Sequence, residues 1–516
     1  MLEVERLAEL LNHPLAFLFA IGCGLFIHRI LSQARRPLPP GPPGLPLVGN
    51  AFDIPTEHSW VTYRDWAARY GDVLAVRAFG QTLVVLNSYT AALDLLEKRS
   101  LVYSDRPASV LAELTGWTRT FGFKSYGDAW REDRRLLWKY VQPSATQQFR
   151  DAQQREARSF LHRLLADQRD LDGAVKLLAC KTVLTAAYGI PDEEIGTQYV
   201  DILREADEGL SEAFSPGAFL VEFIPWLQYV PSWVPGTGWK KQLGPWRAQC
   251  STLFDTPFAA AQDAMMRGKA KPSMMSDLLE TLQVEGGDSS KVEKTAKDMA
   301  GTAFLAATDT TSGTLFAFFC AMVLHPEVQQ RAQAELDAVV GRDRLPEHTD
   351  RPSLPYVSAL VKEVLRWFSP APLSIPHRCT KEDQYRGWAI PKGATVLINI
   401  WAILHDTELF PDPDVFRPER YLKEGQLDDE MCERTSVAFG MGRRVCPGRY
   451  FAEDMLFINI ASILHIFSIL PALDASGRPI LPEVKLTSGL VSYVYHSINA
   501  CVCSHNASHL RRTTSV

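Results

Sequence analysis

The stretch FGMGRRVCPG, residues 439–448, places one cysteine among three glycines and two arginines. A structural free cysteine usually lies in an apolar core, where its thiol stays protonated and unreactive. In this basic loop we expect a thiolate, stabilised by Arg443 and Arg444 and by a helix over residues 447–470 that begins just after the cysteine. A thiolate is a metal ligand or a nucleophile, so Cys446 is the candidate functional residue.

Several kinds of site could use such a cysteine. Gly442 and Gly448 let backbone amides approach the sulfur closely. Zinc is disfavoured, because a structural zinc site needs four ligands and no C-x-x-C pair accompanies Cys446. A cysteine hydrolase needs a histidine base, which the sequence does not exclude. A single thiolate is also the ligand of haem iron in oxygen-activating enzymes.

Length and composition restrict the class of protein. The 516 residues allow two domains, or one large helix-rich unit organised by a single element. A net charge of −6 argues against nucleic-acid binding. Nine scattered cysteines without disulfide-framework spacing indicate a reducing compartment.

The N-terminus carries a candidate membrane anchor. The apolar run PLAFLFAIGCGLFI (14–27) follows an acidic segment and precedes Arg29, Arg35 and Arg36, which places the rest of the chain on the cytoplasmic side. A signal peptide or an interfacial helix is the alternative. We therefore divide the chain into an anchor (1–36), a proline-rich stiff hinge (37–50) and a catalytic domain (51–516).

The catalytic part reads as mostly α with small β-sheets. Residues 72–87 predict a hairpin and residues 388–400 a second strand region. Residues 299–324 are apolar enough for a second membrane span, but TDTTS interrupts their middle, so we expect a long helix buried in a protein core. Hydroxyls that bond back to the preceding turn should bend or bulge this helix and open a groove beside Asp309 and Thr310.

The loop motif resembles a known family. Phe439-x-x-Gly442-x-Arg444-x-Cys446-x-Gly448 matches the haem-binding signature of the cytochrome P450 family. Glu363-x-x-Arg366, followed by Arg420 in FRPERY, resembles the family's buried charged network on the haem side. On its own Glu-x-x-Arg occurs by chance and reads equally as a surface helix pair. The resemblance extends over most of the chain from Pro39 to Leu490, and it implies the P450 fold around a buried haem.

The resemblance also implies the cofactor and its contacts. Cys446 would be the axial thiolate of haem b, with Phe439 and Gly448 beside it. Trp130 and Arg134 resemble the helix that reaches a haem propionate, and the alternative for them is an exposed basic helix. Arg378 and Arg444 are similar to the family's other propionate partners, since an arginine fork pairs well with a carboxylate.

The family's oxygen-activating residues have counterparts in AATDTT (306–311). The resemblance implies that Asp309 and Thr310 deliver protons while bulk water is excluded. Two positions depart from the family pattern: Ala307 replaces a groove glycine, and the segment after SGLVSY (488–493) lacks the usual residues. The final strand and the pocket wall that it supports are therefore in question.

The predicted function is that of an eukaryotic microsomal monooxygenase resembling fungal natural-product enzymes. It would take NADPH electrons through a reductase, with cytochrome b5 as a further partner, at the endoplasmic reticulum membrane. The aromatic stretch 219–236 suits a lipophilic substrate that enters from the bilayer, first a terpenoid and second an aromatic or indole metabolite. The alternatives are a peroxide isomerase or dehydratase of the same fold and a non-catalytic membrane haem protein, against which the Asp309–Thr310 pair argues.

Overall fold

Helices make up most of the chain. The computed structural model describes residues 37–214, 218–284, 288–483, 486–489, 491–492 and 501–505, so the anchor predicted for 1–36 lies outside the described residues. The α-helices in those ranges are α1 (Ser59–Tyr70), α2 (Tyr89–Ala92), α3 (Ser100–Tyr103), α4 (Val110–Thr115), α5 (Asp128–Val141), α6 (Arg150–Ala166), α7 (Leu171–Tyr188), α8 (Gln198–Ala213), α9 (Leu243–Met266), α10 (Met274–Val284), α11 (Ser289–Leu324), α12 (Pro326–Val339), α13 (Pro355–Trp367), α14 (Ile400–Leu404), α15 (Asp429–Thr435) and α16 (Arg449–Ile466).

The strands form small sheets, which confirms the prediction of a mostly α protein with a minor β part. They are β1 (Val73–Ala78), β2 (Gln81–Leu86), β3 (His377–Arg378), β4 (Asp383–Tyr385), β5 (Trp388–Ile390), β6 (Thr395–Ile398), β7 (Leu422–Lys423), β8 (Gln426–Leu427), β9 (Phe467–Leu473), β10 (Pro479–Ile480) and β11 (Cys501–His505). The order in the largest sheet is β1-β2-β6-β3, with β2 and β6 parallel. Both predicted strand regions are present, and β1 and β2 form the predicted antiparallel hairpin.

Helix α11 runs through the core. In the described part of the chain it is the one helix long and apolar enough to cross a membrane, and 78% of its most apolar window is buried inside the protein. Side chains of α6, α7, α12, α13 and α16 share one apolar cluster with its second half. The prediction of a buried core helix is confirmed.

The hydroxyls of α11 bond back along the helix as predicted. Thr310 Oγ1 donates to the carbonyl oxygen of Ala306 at 2.7 Å, and Thr314 Oγ1 donates to that of Thr310 at 2.8 Å. The helix nevertheless remains α-helical from Ser289 to Leu324, so the predicted bulge is absent. An opening still lies beside this turn, because Ala306 is exposed in the middle of the core helix.

Residues 37–50 and strand β11 both form backbone hydrogen bonds with the small sheets. Residues 37–50 contain no helix, and Pro40 O accepts a 3.0 Å bond from Ala75 N. A Cβ on Gly41 would lie 1.9 Å from Ala75 O, so only glycine permits this approach. This segment therefore lies against the catalytic part. At the other end β11 pairs antiparallel with β9, so a final strand forms despite the unusual sequence.

Candidate functional site

The Cys446 loop has a fixed backbone. Cys446 N donates a 2.8 Å hydrogen bond to Phe439 O, which closes the loop. Gly442 has φ +68°, and a Cβ there would lie 2.0 Å from Leu96 O, so the loop needs glycine at this position. Helix α16 begins at Arg449 with Gly448 as its N-cap, which confirms that a helix starts just after the cysteine.

The electrostatics of Cys446 differ from the expectation. Burial raises the pKa of its thiol, and the opposing effects of the Gly448 N–H and of the guanidinium groups of Arg134 and Arg449 are smaller. Burial therefore opposes the thiolate that the basic loop is expected to favour, because desolvation outweighs the nearby charges. A bound metal ion would deprotonate such a thiol.

The two arginines of the motif, which are expected to stabilise the sulfur, bond to other groups. Arg443 is exposed and donates to Tyr126 Oη at 2.9 Å and to Ser100 Oγ at 3.1 Å. Arg444 donates to the carbonyl oxygens of Ser104 and Lys124, each at 2.7 Å. The cations that act on the sulfur are instead Arg134 and Arg449.

Four predicted cofactor contacts surround this loop. Arg134 Nη1 donates to Val445 O at 2.8 Å, next to Cys446. The guanidinium carbon of Arg444 lies 4.3 Å from the centroid of the Trp130 ring, a cation–π distance. Arg378 is paired with the buried carboxylate of Asp105 through Nε at 2.8 Å. We call Trp130, Arg134, Arg378 and Arg444 the cationic cradle.

The cationic cradle fits a flat group with anionic carboxylates. Trp130 Nε1 and Arg444 Nη1 are buried donors without a hydrogen-bond partner among the described residues. Buried donors without partners are costly, so their presence indicates acceptors supplied by a ligand. A Cβ added to Gly448 would meet nothing within 4 Å, so space remains beside the cysteine loop. A haem with two propionates matches both features.

The acid–alcohol pair lies at the opening in α11. Ala306 is exposed there, and Ala307, Asp309 and Thr310 are half-buried. Asp309 lies near Cys180 of α7. Burial raises the pKa of the Cys180 thiol, and the negative charge of Asp309 raises it further. The Thr310 hydroxyl donates its hydrogen bond to Ala306 O, so the hydroxyl oxygen remains available as an acceptor at the opening.

The structure also brings together the three residues of the predicted charged network. Arg366 forks onto both carboxylate oxygens of Glu363, with Nε and Nη2 at 2.7 and 2.9 Å. Arg420 Nε donates to Glu363 Oε1 at 3.2 Å. Arg420 also donates to the carbonyl oxygens of Pro411, Asp412 and Val415, so the network fixes the chain between α14 and α15.

A shallow basic cleft adjoins the cationic cradle. It encloses about 460 Å³ and is lined by aromatic and arginine side chains and one glycine, namely Tyr126, Trp130, Arg131, Arg134, Arg135, Trp138, Gly442 and Arg443. Trp130 and Arg134 therefore border both the cradle and this cleft. We call it the basic cleft.

Sequence reasoning missed three residues of the site. Asp105 bonds to Arg378 and accepts from Tyr126 N at 2.8 Å. Arg106 is buried and contacts backbone carbonyls on two segments, and Arg449 acts on the Cys446 sulfur. Asp105 and Arg106 act across long sequence separations and follow no spacing rule. The position of Arg449 in the first turn after the cysteine was a usable signal.

Comparison with known proteins identifies the class to which this fold and site belong. The family model described as cytochrome P450 matches residues 39–493. The chain is 40% identical over 473 residues to cytochrome P450 monooxygenase COX2 of Coprinopsis cinerea, covering 91% of this chain and 89% of that protein. It is 40% identical over 469 residues to cytochrome P450 monooxygenase 208 of Postia placenta, with 90% of each chain covered.

A third relative, cytochrome P450 monooxygenase ple1 of Rhodocybe pseudopiperita, is 39% identical over 481 residues, covering 93% of this chain and 91% of that protein. This chain belongs to the cytochrome P450 family, as an oxygenase related to fungal monooxygenases. Membership implies a haem held by a cysteine thiolate. The family expected from the Cys446 motif is confirmed.

Proposed function

We propose that this protein is a haem-thiolate monooxygenase that oxidises a lipophilic natural product with electrons from NADPH. The observation that carries the proposal is the contact between the cationic cradle and the cysteine loop, where Arg134 donates to the carbonyl oxygen of Val445, next to Cys446. When bound, haem supplies the activation of O₂. Cys446 would supply the thiolate that holds it, and Phe439 and Gly448 would shape the loop around it.

The residues around the haem have separate tasks. The four residues of the cationic cradle would hold the propionates by charge-assisted hydrogen bonds, namely Trp130, Arg134, Arg378 and Arg444. Thr310 accepts a hydrogen bond at the opening in α11, and Asp309 connects that opening to a proton source. The apolar first half of α11 limits water there. Glu363, Arg366 and Arg420 hold the scaffold on the cysteine side.

The basic cleft is the proposed docking site of the electron donor. Among the described residues, Arg443 donates its hydrogen bonds to the hydroxyls of Ser100 and Tyr126, and Arg131 pairs with the exposed Asp128. Both guanidinium groups therefore lack a buried carboxylate partner in this part of the chain. An NADPH–cytochrome P450 reductase or a cytochrome b5 with an acidic surface would complement them. The cleft shares Arg134 with the cationic cradle, so a donor there would approach the haem.

The protein is proposed to lie on the endoplasmic reticulum membrane, with its catalytic domain cytoplasmic and residues 1–36 as a single span. Tyr229 and Trp233 are 80% and 82% exposed, which is unusual for aromatic side chains. The neighbouring Phe223 contacts Phe79 at 5.5 Å between centroids, and Phe79 N bonds to Val48 O. The segment 219–236, which contains these exposed aromatic residues, is therefore linked through Phe79 to residues 37–50, and exposed aromatic residues favour a membrane interface.

The substrate proposal follows from this surface. A pocket entered from the bilayer favours a compound that partitions into lipid, first a terpenoid of fungal secondary metabolism and second an aromatic or indole metabolite. The relatives named above are monooxygenases of fungi. The same-fold peroxide isomerase and the non-catalytic haem protein are the alternatives.

The test combines the absorption spectrum of the CO complex with NADPH-dependent turnover. The purified full-length protein in lipid should give the thiolate-type absorption of the ferrous CO complex. When the purified protein, reductase and NADPH are added to an extract of the cells that carry its gene, one metabolite should decrease and its oxidised form should appear. A thiolate spectrum with turnover that is independent of NADPH would favour the isomerase, and a spectrum without any turnover would favour the non-catalytic protein.

A further inference from the structure

Arg119 joins three elements of the structure at one point. It lies at the end of a short 3₁₀ turn, Trp117–Arg119. Its Nε donates to Asp298 Oδ1 of α11 at 2.7 Å, and its guanidinium carbon lies 4.4 Å from the centroid of the Phe254 ring of α9. The side chain of Asp298 is 4% exposed and that of Arg119 is 23% exposed, so this ion pair is largely removed from water.

The two helices meet closely under this ion pair. A Cβ on Gly301 of α11 would lie 2.2 Å from Phe254 Cδ1, so the Phe254 ring occupies a notch that this glycine leaves in the helix. Phe254 is fully buried. We call residues 117–123 the covering segment. Arg119 therefore fastens the covering segment to the place where α9 and α11 pack together most closely.

The covering segment lies over the first part of one face of α11. Phe121 N donates to Thr302 Oγ1 at 3.3 Å, so the segment contacts α11 at Asp298 and again one turn later. Ala306, a further turn along this face, is exposed at the opening. The covering segment therefore ends the opening on the side of the α11 N-terminus.

The same segment also reaches the cationic cradle. The Phe121 ring stacks on Trp130 of the cradle, with 5.5 Å between the ring centroids. The Phe123 ring stacks on Phe214 at the end of α8, with 5.0 Å between centroids. The covering segment thus runs from the contact of α9 with α11 to the cradle, along one edge of the space between them.

The charges around Arg119 are balanced. Asp298 Oδ2 also accepts from Lys294 Nζ at 2.5 Å. Asp255 Oδ1 lies 3.6 Å from Arg119 Nη1 and 3.2 Å from Lys297 Nζ. Asp298 therefore keeps a cationic partner when Arg119 is replaced by an apolar residue. Such a replacement frees the covering segment without leaving a buried carboxylate unpaired, which would by itself destabilise the fold.

We propose that Arg119 is a positioning residue that fixes the covering segment over α11 and thereby limits the length of the substrate accepted beside Ala306. It acts through Asp298 and does not contact the substrate. The proposal rests on the haem-thiolate function, because the space that the covering segment ends is the one above a bound haem.

The test measures how binding depends on chain length. Wild type and Arg119→Met, each loaded with haem, are titrated with the butyl, hexyl, octyl, decyl and dodecyl derivatives of imidazole while the Soret band is followed. Each buried methylene strengthens binding about fourfold until the chain meets the covering segment. We expect this limit to lie at a chain at least about two methylenes longer in Arg119→Met than in wild type.

Arg267→Met is the matched control. Arg267 follows α9 and pairs with Glu194 at 2.9 Å and with Asp263 at 2.8 Å, so it also loses an ion pair to α9 when it is replaced. None of its printed partners belongs to the covering segment, so its limit should equal that of wild type. A wild-type limit in Arg119→Met, a wild-type series without any limit, or an equal shift in Arg267→Met overturns the proposal.

Asp298→Asn tests whether Arg119 acts through this carboxylate. The substitution removes the charge with little change of shape, and it should shift the chain-length limit in the same direction. The double variant should show no larger shift than Arg119→Met alone, because both substitutions break one contact. Additive shifts would mean two separate effects and would overturn the proposed role of the pair.

A second measurement does not depend on the haem. Because Phe121 N is bonded to Thr302 Oγ1, hydrogen exchange at this amide reports how firmly the covering segment lies on α11. We expect exchange about tenfold faster in Arg119→Met, the effect of one lost charge-assisted contact, and unchanged in Arg267→Met. A wild-type rate in Arg119→Met overturns the proposal. If wild type lacks the thiolate spectrum, the haem-thiolate function fails, while the exchange result still tests the role of Arg119.

Discussion

Arg366 binds both oxygens of Glu363 through two nitrogens, with both side chains fully buried. Removing one partner leaves a buried charge without compensation, which typically costs about 3–5 kcal/mol. We expect Glu363→Gln to lower the unfolding midpoint and the fraction of protein that retains haem. The measurement is thermal unfolding together with the ratio of haem to protein absorbance.

The exposed pair Arg204–Glu208, also on a helix, provides the control. Surface pairs of this kind contribute about 0.3–0.5 kcal/mol, so Glu208→Gln should leave the midpoint nearly unchanged. Equal effects of the two substitutions would show that the buried network does not hold the scaffold.

Replacing Cys446 by serine should abolish the thiolate-type spectrum of the ferrous CO complex, because the hydroxyl is a much weaker iron ligand. The measurement is the CO difference spectrum. Cys432→Ser is a suitable control, since Cys432 is another half-buried free cysteine, in α15. A thiolate spectrum that survives in Cys446→Ser would refute the assignment of the axial ligand.

Deletion of residues 1–36 should release much of the protein from membranes while haem binding continues. Some association should remain, since Tyr229 and Trp233 stay exposed. Combining the deletion with Trp233→Ser should release more. Flotation with vesicles measures the bound fraction, and loss of haem on deletion alone would show that the N-terminal segment is part of the catalytic structure.

His348 predicts a pH dependence of stability. Burial lowers the pKa of this histidine to about 4, and neither ring nitrogen has a partner among the described residues. The folded protein therefore binds fewer protons here than the unfolded chain, so this contribution to stability is lost as pH falls from about 6.5 to about 4. His348→Phe should flatten that part of the profile of unfolding midpoint against pH. An unchanged slope would show that other groups control it.

Features that depend on neighbouring residues could be predicted from the sequence. The glycines around Cys446, the helix after it and the buried α11 all follow from local pattern, and each is present. Glu363 and Arg366 are one turn apart on α13, so their pairing also needed no tertiary information.

Features that depend on tertiary burial could not be predicted in this way. The raised pKa of Cys446 arises from desolvation, which nothing in the local sequence shows. Arg443 was expected to act on the sulfur, but the turn directs it to Tyr126. Arg106 donates to the carbonyl oxygens of Gly122 and Ile375, and any residue type could supply those acceptors.

Thr310→Ala should separate electron use from product formation. The Thr310 hydroxyl donates to Ala306 O at 2.7 Å, so its oxygen can accept a hydrogen bond from a donor in the opening. Without that acceptor, proton delivery becomes less selective, and reducing equivalents leave as hydrogen peroxide. General acid–base interactions contribute about 10²–10⁴-fold in rate, and because ordered water replaces part of this, we expect product per NADPH to fall at least about tenfold.

Two variants on the same helix complete this test. Thr310→Ser keeps the hydroxyl and should retain most of the coupling. Thr314→Ala removes a similar back-bond, at 2.8 Å to Thr310 O, but Thr314 is buried away from the opening, so coupling should stay near wild type. NADPH consumed, peroxide released and product formed are measured on one preparation of each variant. A wild-type ratio of product to NADPH in Thr310→Ala, or an equal loss in Thr314→Ala, would mean that the effect comes from the helix backbone and not from the Thr310 hydroxyl.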